Sequence, residues 1–329
     1  MNTHLVSESL VSRRAFVSRL ALAGAALPLA GAVAHAQAEK KMVKGKVEAK
    51  PTSGTGKLGT LHVFAKPLQV FSYEETARLI AEAGYGGIDY AVRKGGHVLP
   101  EKAAEDLPRA IEAATKAGLK VEMITTDVVN ANDANSVAML RVAAKHGVKV
   151  YRFGNFAYDP KLSVMESLAK TRATIKELAA LNQSLGIHGA IQNHAGTRVG
   201  SAIWDLYEVL RESDPRWVGV QYDIRHAVVE GGQAWPNALR LVAPWVKCID
   251  IKDFKWEQVP GKATIENTPI GEGVVPFDAY FKMVREQGIQ GPVSVHLEYP
   301  PFERAKIDET QRRGIFLAAM KKDLAALKP

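Results

Sequence analysis

The chain has 329 residues, 47% of them hydrophobic, a formal charge of +8 and one cysteine, Cys248. One cysteine excludes an internal disulfide. Six lysines lie between positions 39 and 57 and no basic stripe with interleaved aromatics follows them, so the positive charge does not describe a nucleic-acid surface.

In chain order, Ser12-Arg13-Arg14-Ala15-Phe16-Val17 precedes a Leu-, Ala- and Gly-rich run from Leu20 to Ala34. This is the pattern of a twin-arginine export signal. Its apolar core of about 15 residues is shorter than the roughly 20 that span a bilayer, so no stable membrane insertion is expected after cleavage. Cleavage near Ala36 or Ala38 makes residues 1–38 the signal peptide and a periplasmic location the expectation. It removes Arg13, Arg14, Arg19 and Glu8, which takes the formal charge from +8 to +6. Residues 39–57 are rich in Lys, Gly, Pro, Ser and Thr and cannot offset their ordering entropy, so a flexible leader is expected there. Residues 58–329 then form one domain of about 270 residues, near the upper size for a single core.

From position 60 onward short apolar runs alternate with amphipathic ones. The predicted strands are LHVFA (61–65), GGIDYAV (86–92), KVEMITT (120–126), VKVYRFG (148–154), IHGAIQN (187–193), WVGVQYD (217–223), VKCIDIK (246–252) and PVSVHLE (292–298). Helical stretches such as YEETARLIAEAG and FDAYFKMVREQG lie between them, and most end in Gly, the residue favoured just past a helix C-terminus. Short strands separated by helices require parallel crossovers, and eight is the number that closes a barrel. The α/β fold class expected is therefore a single-domain (β/α)8 TIM barrel. No Gly-x-Gly-x-x-Gly follows the first strand, which argues against a dinucleotide fold.

In such a barrel chemistry is built from side chains at the C-terminal strand ends. Those ends carry Asp89, Arg93 and His97; Thr125, Thr126 and Asp127; Arg152; Gln192, Asn193 and His194; Asp223, Arg225 and His226; Asp250, Lys252 and Asp253; and His296 and Glu298. Each has an ordinary structural reading. Asp223 caps the next helix, Arg152 makes a salt bridge at the mouth, Lys252 pairs with Asp253, and Trp235 and Trp256 pack in the core. Convergence of so many polar ends on one rim is harder to explain as structure alone.

IQNHAG, VQYDIRHA, IDIKDFKW and VHLEYP, in this order at the ends of strands 5 to 8, resemble the xylose-isomerase-like barrel family of sugar isomerases and epimerases. VRKGGHVLPEKAAEDLP resembles an exported subgroup of it. The resemblance implies a divalent ion, manganese in the first instance with magnesium or calcium as alternatives, held by Gln192, Asp223, Asp250 and Glu298. Two positions depart from the family pattern, Gln192 for a glutamate and Asp250 for a histidine. The exchange keeps three negative charges and gives an oxygen-only set, which suits a hard ion better than zinc.

The implied chemistry is proton transfer next to a carbonyl through an enediolate. Glu298 is the expected base and His226 its acid partner, with His194 and His296 as further candidates. Arg93, His97, Arg152, His194, Lys252 and His296 would bind a small carbohydrate, and Trp256 would stack on its face. Gln192 cannot accept a proton, so a one-base isomerisation, or a lyase or hydratase reaction on a 3-keto sugar, fits better than a two-base epimerisation. A sugar-binding barrel without catalysis and an abasic-site endonuclease-like phosphodiesterase are the competing readings.

Overall fold

The computed structural model describes residues 58–303 and 306–327; the export signal and leader expected over residues 1–57 lie outside them. Eight parallel strands close a barrel: β1 (Leu61–Phe64), β2 (Gly87–Val92), β3 (Met123–Thr126), β4 (Val150–Arg152), β5 (His188–Gln192), β6 (Val218–Asp223), β7 (Val246–Ile251) and, last in the chain, β10 (Val293–Val295). Their order around the barrel is β1-β10-β7-β6-β5-β4-β3-β2, so β10 closes it against β1. The (β/α)8 architecture expected from the alternating pattern is the one observed.

The helices on the outside are α1 (Tyr73–Ala83), α2 (Ala103–Lys116), α3 (Ala134–Lys145), α4 (Val164–Leu185), α5 (Ile203–Leu210), α6 (Ile224–Gly231), α7 (Trp235–Val242), α8 (Phe277–Glu286) and α9 (Glu309–Ala326). Their starts follow local chemistry. Ser72 and Asp133 accept the third backbone N–H of α1 and α3, and at α4 Ser163 and Glu166 satisfy each other's backbone N–H groups in a capping box. Gly186 ends α4 at φ 68, a conformation that costs glycine nothing and other residues much more.

Two layers follow from the period-two alternation of strand side chains. Outward residues such as Val63, Ile88, Tyr151, Val220 and Ile249 pack against the helices in one continuous core. Met123, Val150, Ala190 and Cys248 form a separate small cluster. Two residues further along the same strands, and so on the same face, stand Thr125, Arg152, Gln192 and Asp250. An apolar floor therefore carries a polar rim, and the polar side chains lie at the C-terminal ends.

Among the described residues the regular pattern is broken after β6, where α6 and α7 both precede β7, and again after β7. After β7 the sequence expectation was a loop carrying Trp256. Instead β8 (Asp253–Val259) and β9 (Lys262–Thr268) pair antiparallel around Pro260-Gly261. The alternation of DFKWEQV and KATIENT about a Pro-Gly turn is the hairpin signal that the eight-unit reading passed over.

At the other end of the barrel His188 is buried, with Nδ1 donating to the Arg216 carbonyl at 3.1 Å. Burial lowers its pKa from 6.5 to about 4. Only the unfolded chain takes up this proton between those values, so stability from this group is intact above 6.5 and lost as pH falls towards 4. The shift corresponds to about 3 kcal/mol. His188→Gln should flatten that part of the unfolding free energy against pH; an unchanged slope in chemical denaturation would remove the argument.

Candidate active site

The strand ends assemble a single hydrogen-bonded network. From β4, Arg152 Nη1 donates to Gln192 Oε1 at 2.7 Å. Gln192 at the end of β5 donates from Nε2 to Asp223 Oδ2 at 3.0 Å and to Asp250 Oδ2 at 2.6 Å. Asp250 on β7 also accepts from Gln221 Nε2 at 2.7 Å. Lys252, immediately after β7, sets Nζ 3.1 Å from Asp223 Oδ2 and 3.2 Å from Glu298 Oε2. His296, just past β10, has Nδ1 3.2 Å from Glu298 Oε1 and Nε2 3.4 Å from Asp250 Oδ1. Asp223, Asp250 and Glu298 are thus linked in pairs, through Lys252, Gln192 and His296.

The electrostatics follow from burial and these partners. Burial alone would raise Glu298, but the Lys252 ammonium and His296 outweigh it and hold its carboxyl well below the ordinary 4.5. Burial would lower Lys252; Asp223 and Glu298 reverse this and raise it, so it stays an ammonium. Burial disfavours charge on His296 too, yet Asp250 raises it to about 9, an imidazolium with both nitrogens turned to carboxylates. Burial raises Asp223 against the pull of Lys252, but every polar contact it accepts comes from a donor, including the His226 backbone N–H at 3.1 Å. That last bond makes Asp223 the cap of α6 as well as part of the network. Asp89 lies deeper, bonded to Thr125 and Ser294, and burial pushes it up to about 6.

His226 is fixed as the neutral tautomer. Arg225 Nη1 lies 3.0 Å from Nδ1, and an arginine can only donate, so Nδ1 accepts and Nε2 carries the hydrogen. Burial, then Lys252 and His194, push its pKa well below 6.5. Its Nε2 is buried without a hydrogen-bond partner among the described residues, 3.5 Å from Asp223 Oδ2. The His194 ring lies over it with centroids 3.9 Å apart, and burial lowers His194 to about 4. The imidazolium expected as acid partner at His226 is therefore found at His296; His226 offers a neutral N–H instead.

Other expected contacts fall elsewhere. His97 is turned away, with Nε2 3.1 Å from the Phe71 carbonyl and its ring against Tyr73 and Tyr90. Its place after β2 put it near the rim in sequence, but the loop folds it onto the outer layer. Arg93 sits at the edge, its guanidinium 5.7 Å from the Phe64 ring centroid, and Phe64 stacks on His296. Trp256 stands half exposed on the hairpin against Phe254, and Trp235 is buried against Tyr280. Lys252 does not pair with Asp253, whose carboxylate accepts the backbone N–H groups of Phe254, Gly271, Gly273 and Val275 and so holds the following loop.

Two contributors, Gln221 and Asn267, were missed from sequence, and the partners of Arg225 were not foreseen. Gln221 lies two residues before Asp223 on the same strand face, a signal period-two reading supplies. Arg225 and Asn267 join only in three dimensions. Arg225 Nη2 donates to Asn267 Oδ1 at 2.7 Å, and Asn267 Nδ2 to the Glu298 carbonyl at 2.9 Å, which ties the hairpin to the site.

A closed (β/α)8 barrel with a charged, hydrogen-bonded C-terminal rim defines the class of protein. The chain belongs to the xylose isomerase-like TIM barrel family, whose model matches residues 77–318. Comparison with curated protein sequences returns no match. Among solved structures, the apo 3-keto-D-glucoside 4-epimerase of E. coli is similar with TM-score 0.59 and 15% identity, over 80% of this chain and 99% of that one. A probable 3-DHS dehydratase of Bacillus anthracis gives 0.57 and 15%, over 80% and 98%. A xylose isomerase-like barrel of Mycobacterium smegmatis in complex with magnesium gives 0.58 and 14%, over 81% and 98%. At these identities the likeness is one of fold.

The four positions implied as metal ligands meet at the rim, but not as an oxygen-only cage. Arg152 has no acceptor, so Gln192 must turn its oxygen to Arg152 and its NH2 to the two aspartates. Among the described residues no three His, Cys, Asp or Glu side chains are grouped to hold an ion. The donor set present does not fit a divalent cation, because N–H groups occupy the space its ligands would face.

Proposed function

We propose that the chain is a carbohydrate isomerase- or epimerase-like enzyme that moves a proton at a carbon next to a carbonyl through an enediolate. The observation that carries this is the contrast within the network. Lys252, Asp223, Asp250 and His296 have side chains at most 3% exposed, while Glu298 is 23% exposed. An ionised carboxylate at an open mouth, backed by buried cations, is positioned to meet a substrate C–H.

In this reading Glu298 takes the proton. Lys252, with two of its N–H groups turned to carboxylates, offers the third to the oxygen that gains charge, and the neutral N–H of His226 offers another. A neutral histidine can polarise a carbonyl in this way. His296 orients Glu298 and can return a proton. Arg152 contacts the site through Gln192, while Arg93 and His194 would meet substrate hydroxyl groups in this reading. The manganese implied by the family has no fitting oxygen cage here, and the proton transfer rests on the chain's own side chains.

Gln192 favours a second reading. Without a second proton acceptor facing Glu298, one-base isomerisation or elimination at a 3-keto sugar is better served than two-base epimerisation. The epimerase and the dehydratase among the similar structures are compatible with either. Deuterium uptake from D2O at the carbon next to the carbonyl, read by NMR over aldoses, ketoses and 3-keto sugars with and without added manganese, tests both. Saturable sugar binding with no exchange and no turnover would instead identify a sugar-binding barrel.

The periplasm is the proposed location, on the strength of the Arg13-Arg14 pattern and the apolar run after it. No helix among the described residues is long and apolar enough to cross a membrane. Replacing both arginines with lysine should leave the unprocessed chain in the cytoplasmic fraction; continued export would remove this assignment.

A further inference from the structure

We propose that the buried ammonium of Lys252 takes the place a divalent cation would occupy at this rim, so that the site polarises a substrate oxygen without a metal. The inference rests on reading this rim as the working site. Nζ bridges carboxylates from two different strand ends, Asp223 Oδ2 at 3.1 Å and Glu298 Oε2 at 3.2 Å, with a side chain only 3% exposed. A positive charge between two carboxylates is thereby supplied by the chain itself, from a side chain entering from the neighbouring strand, β7.

The neighbours are arranged for a fixed cation. Gln192 directs two N–H donors at Asp223 and Asp250, in an orientation that Arg152 enforces. His296 turns both ring nitrogens to carboxylates. Asp223 and Glu298 therefore share the Lys252 side chain between them, while Asp250 is held by the two glutamine amides. Arg152 is coupled to the aspartates through the Gln192 amide. A divalent ion placed between Asp223 and Glu298 would have to displace Nζ, which would leave a buried ammonium without its carboxylate partners, a costly arrangement in a low-dielectric site. The departures Gln192 and Asp250 fit the same account. A neutral amide lowers the negative charge that Lys252 must balance on one side, and Asp250 supplies the partner that fixes His296.

A lysine and a metal differ in what they demand. An ammonium needs no loading and cannot be removed by a chelator. It donates hydrogen bonds to an oxygen instead of coordinating it.

The full chain, purified without added metal, should carry well under one equivalent of manganese, magnesium, zinc or calcium by elemental analysis. Titration with MnCl2 should leave the six-line EPR signal of the free aqueous ion unchanged up to about millimolar concentration, and EDTA should leave the melting temperature unchanged. Lys252→Met vacates the position while filling much of its volume, and Gln192→Glu/Lys252→Met also restores a carboxylate. Both should quench the manganese signal, with affinity at least ten-fold above the parent and the double variant the tighter. One tightly held ion per parent chain, or a parent that binds manganese as well as both variants, overturns the proposal. If neither variant folds, the measurements on the parent chain decide alone. None of these readouts uses turnover. A metal-free chain inactive on every sugar would therefore sink the enzyme reading, and with it the polarising role, while leaving Lys252 as the occupant of the cation position; turnover only with manganese bound would do the reverse.

Discussion

Glu298→Gln is expected to lower deuterium exchange and turnover by about 10³-fold, within the range for losing a positioned acid or base. The fold should be retained. Glutamine keeps the shape, can still accept from Lys252 Nζ, and sits where the side chain is partly open to solvent. The pH dependence carries a second mark. Lys252 and His296 hold Glu298 well below 4.5, so the base is ionised through the neutral range. The acid limb of kcat/KM should accordingly fall below 4.5, and the sign is fixed: activity is lost as pH falls through the pKa of Glu298. Binding of a non-reacting sugar analogue should change little in the variant. Full activity in Glu298→Gln would refute its role as base, and an acid limb near 6 would point to a different group.

Asp250→Ala is expected to cost about 3–5 kcal/mol at neutral pH, the scale for removing one partner of a buried charged pair. At roughly 2–4 °C per kcal/mol for a domain of this size, the melting temperature should fall by about 10 °C. Gln221 Nε2 loses its acceptor, Gln192 Nε2 loses one of its two, and His296 Nε2 loses the carboxylate 3.4 Å from it. Each is buried, and an unpaired buried donor costs far more than an unmade exposed one. Asp250→Asn should recover little. Its NH2 must face one of the two glutamine donors, so a clash of like groups replaces a bond. The carboxyl of Asp250 is held below its ordinary 3.8 because His296 and Lys252 outweigh burial. Its contribution is therefore present above 3.8 and lost as pH falls through the folded value, so variant and parent should converge in acid. A loss under about 1 kcal/mol in urea denaturation at neutral pH would show that these bonds are not made in solution.

Much of the architecture was legible because it rests on local rules. Alternating apolar runs of the two periods, Gly-terminated helices such as α4, and eight repeats of the unit imply a closed parallel barrel without any long-range information. The rim was legible for a related reason. Once strands point the same way, their C-terminal residues must share one end, which brought Arg152, Gln192, Asp223, Asp250, Lys252, His296 and Glu298 to one place.

Which of these side chains touch was decided by tertiary structure alone. Sequence set Lys252 beside Asp253, yet successive residues on an extended segment face opposite ways. Lys252 enters the barrel mouth, and Asp253 turns out to hold a loop. The sequence reading puts the acid partner at His226 ahead of His194 and His296, but the Arg225 guanidinium at His226 and the Asp250 carboxylate at His296 set one neutral and the other charged. His97 and Trp235 followed their loops into packing. The chain by itself determines the barrel and the end at which chemistry gathers, because both follow from backbone periodicity. It does not determine what stands at the centre, because hydrogen bonds such as that from Gln192 to Asp250, 58 positions apart, depend on side-chain directions only the closed barrel fixes.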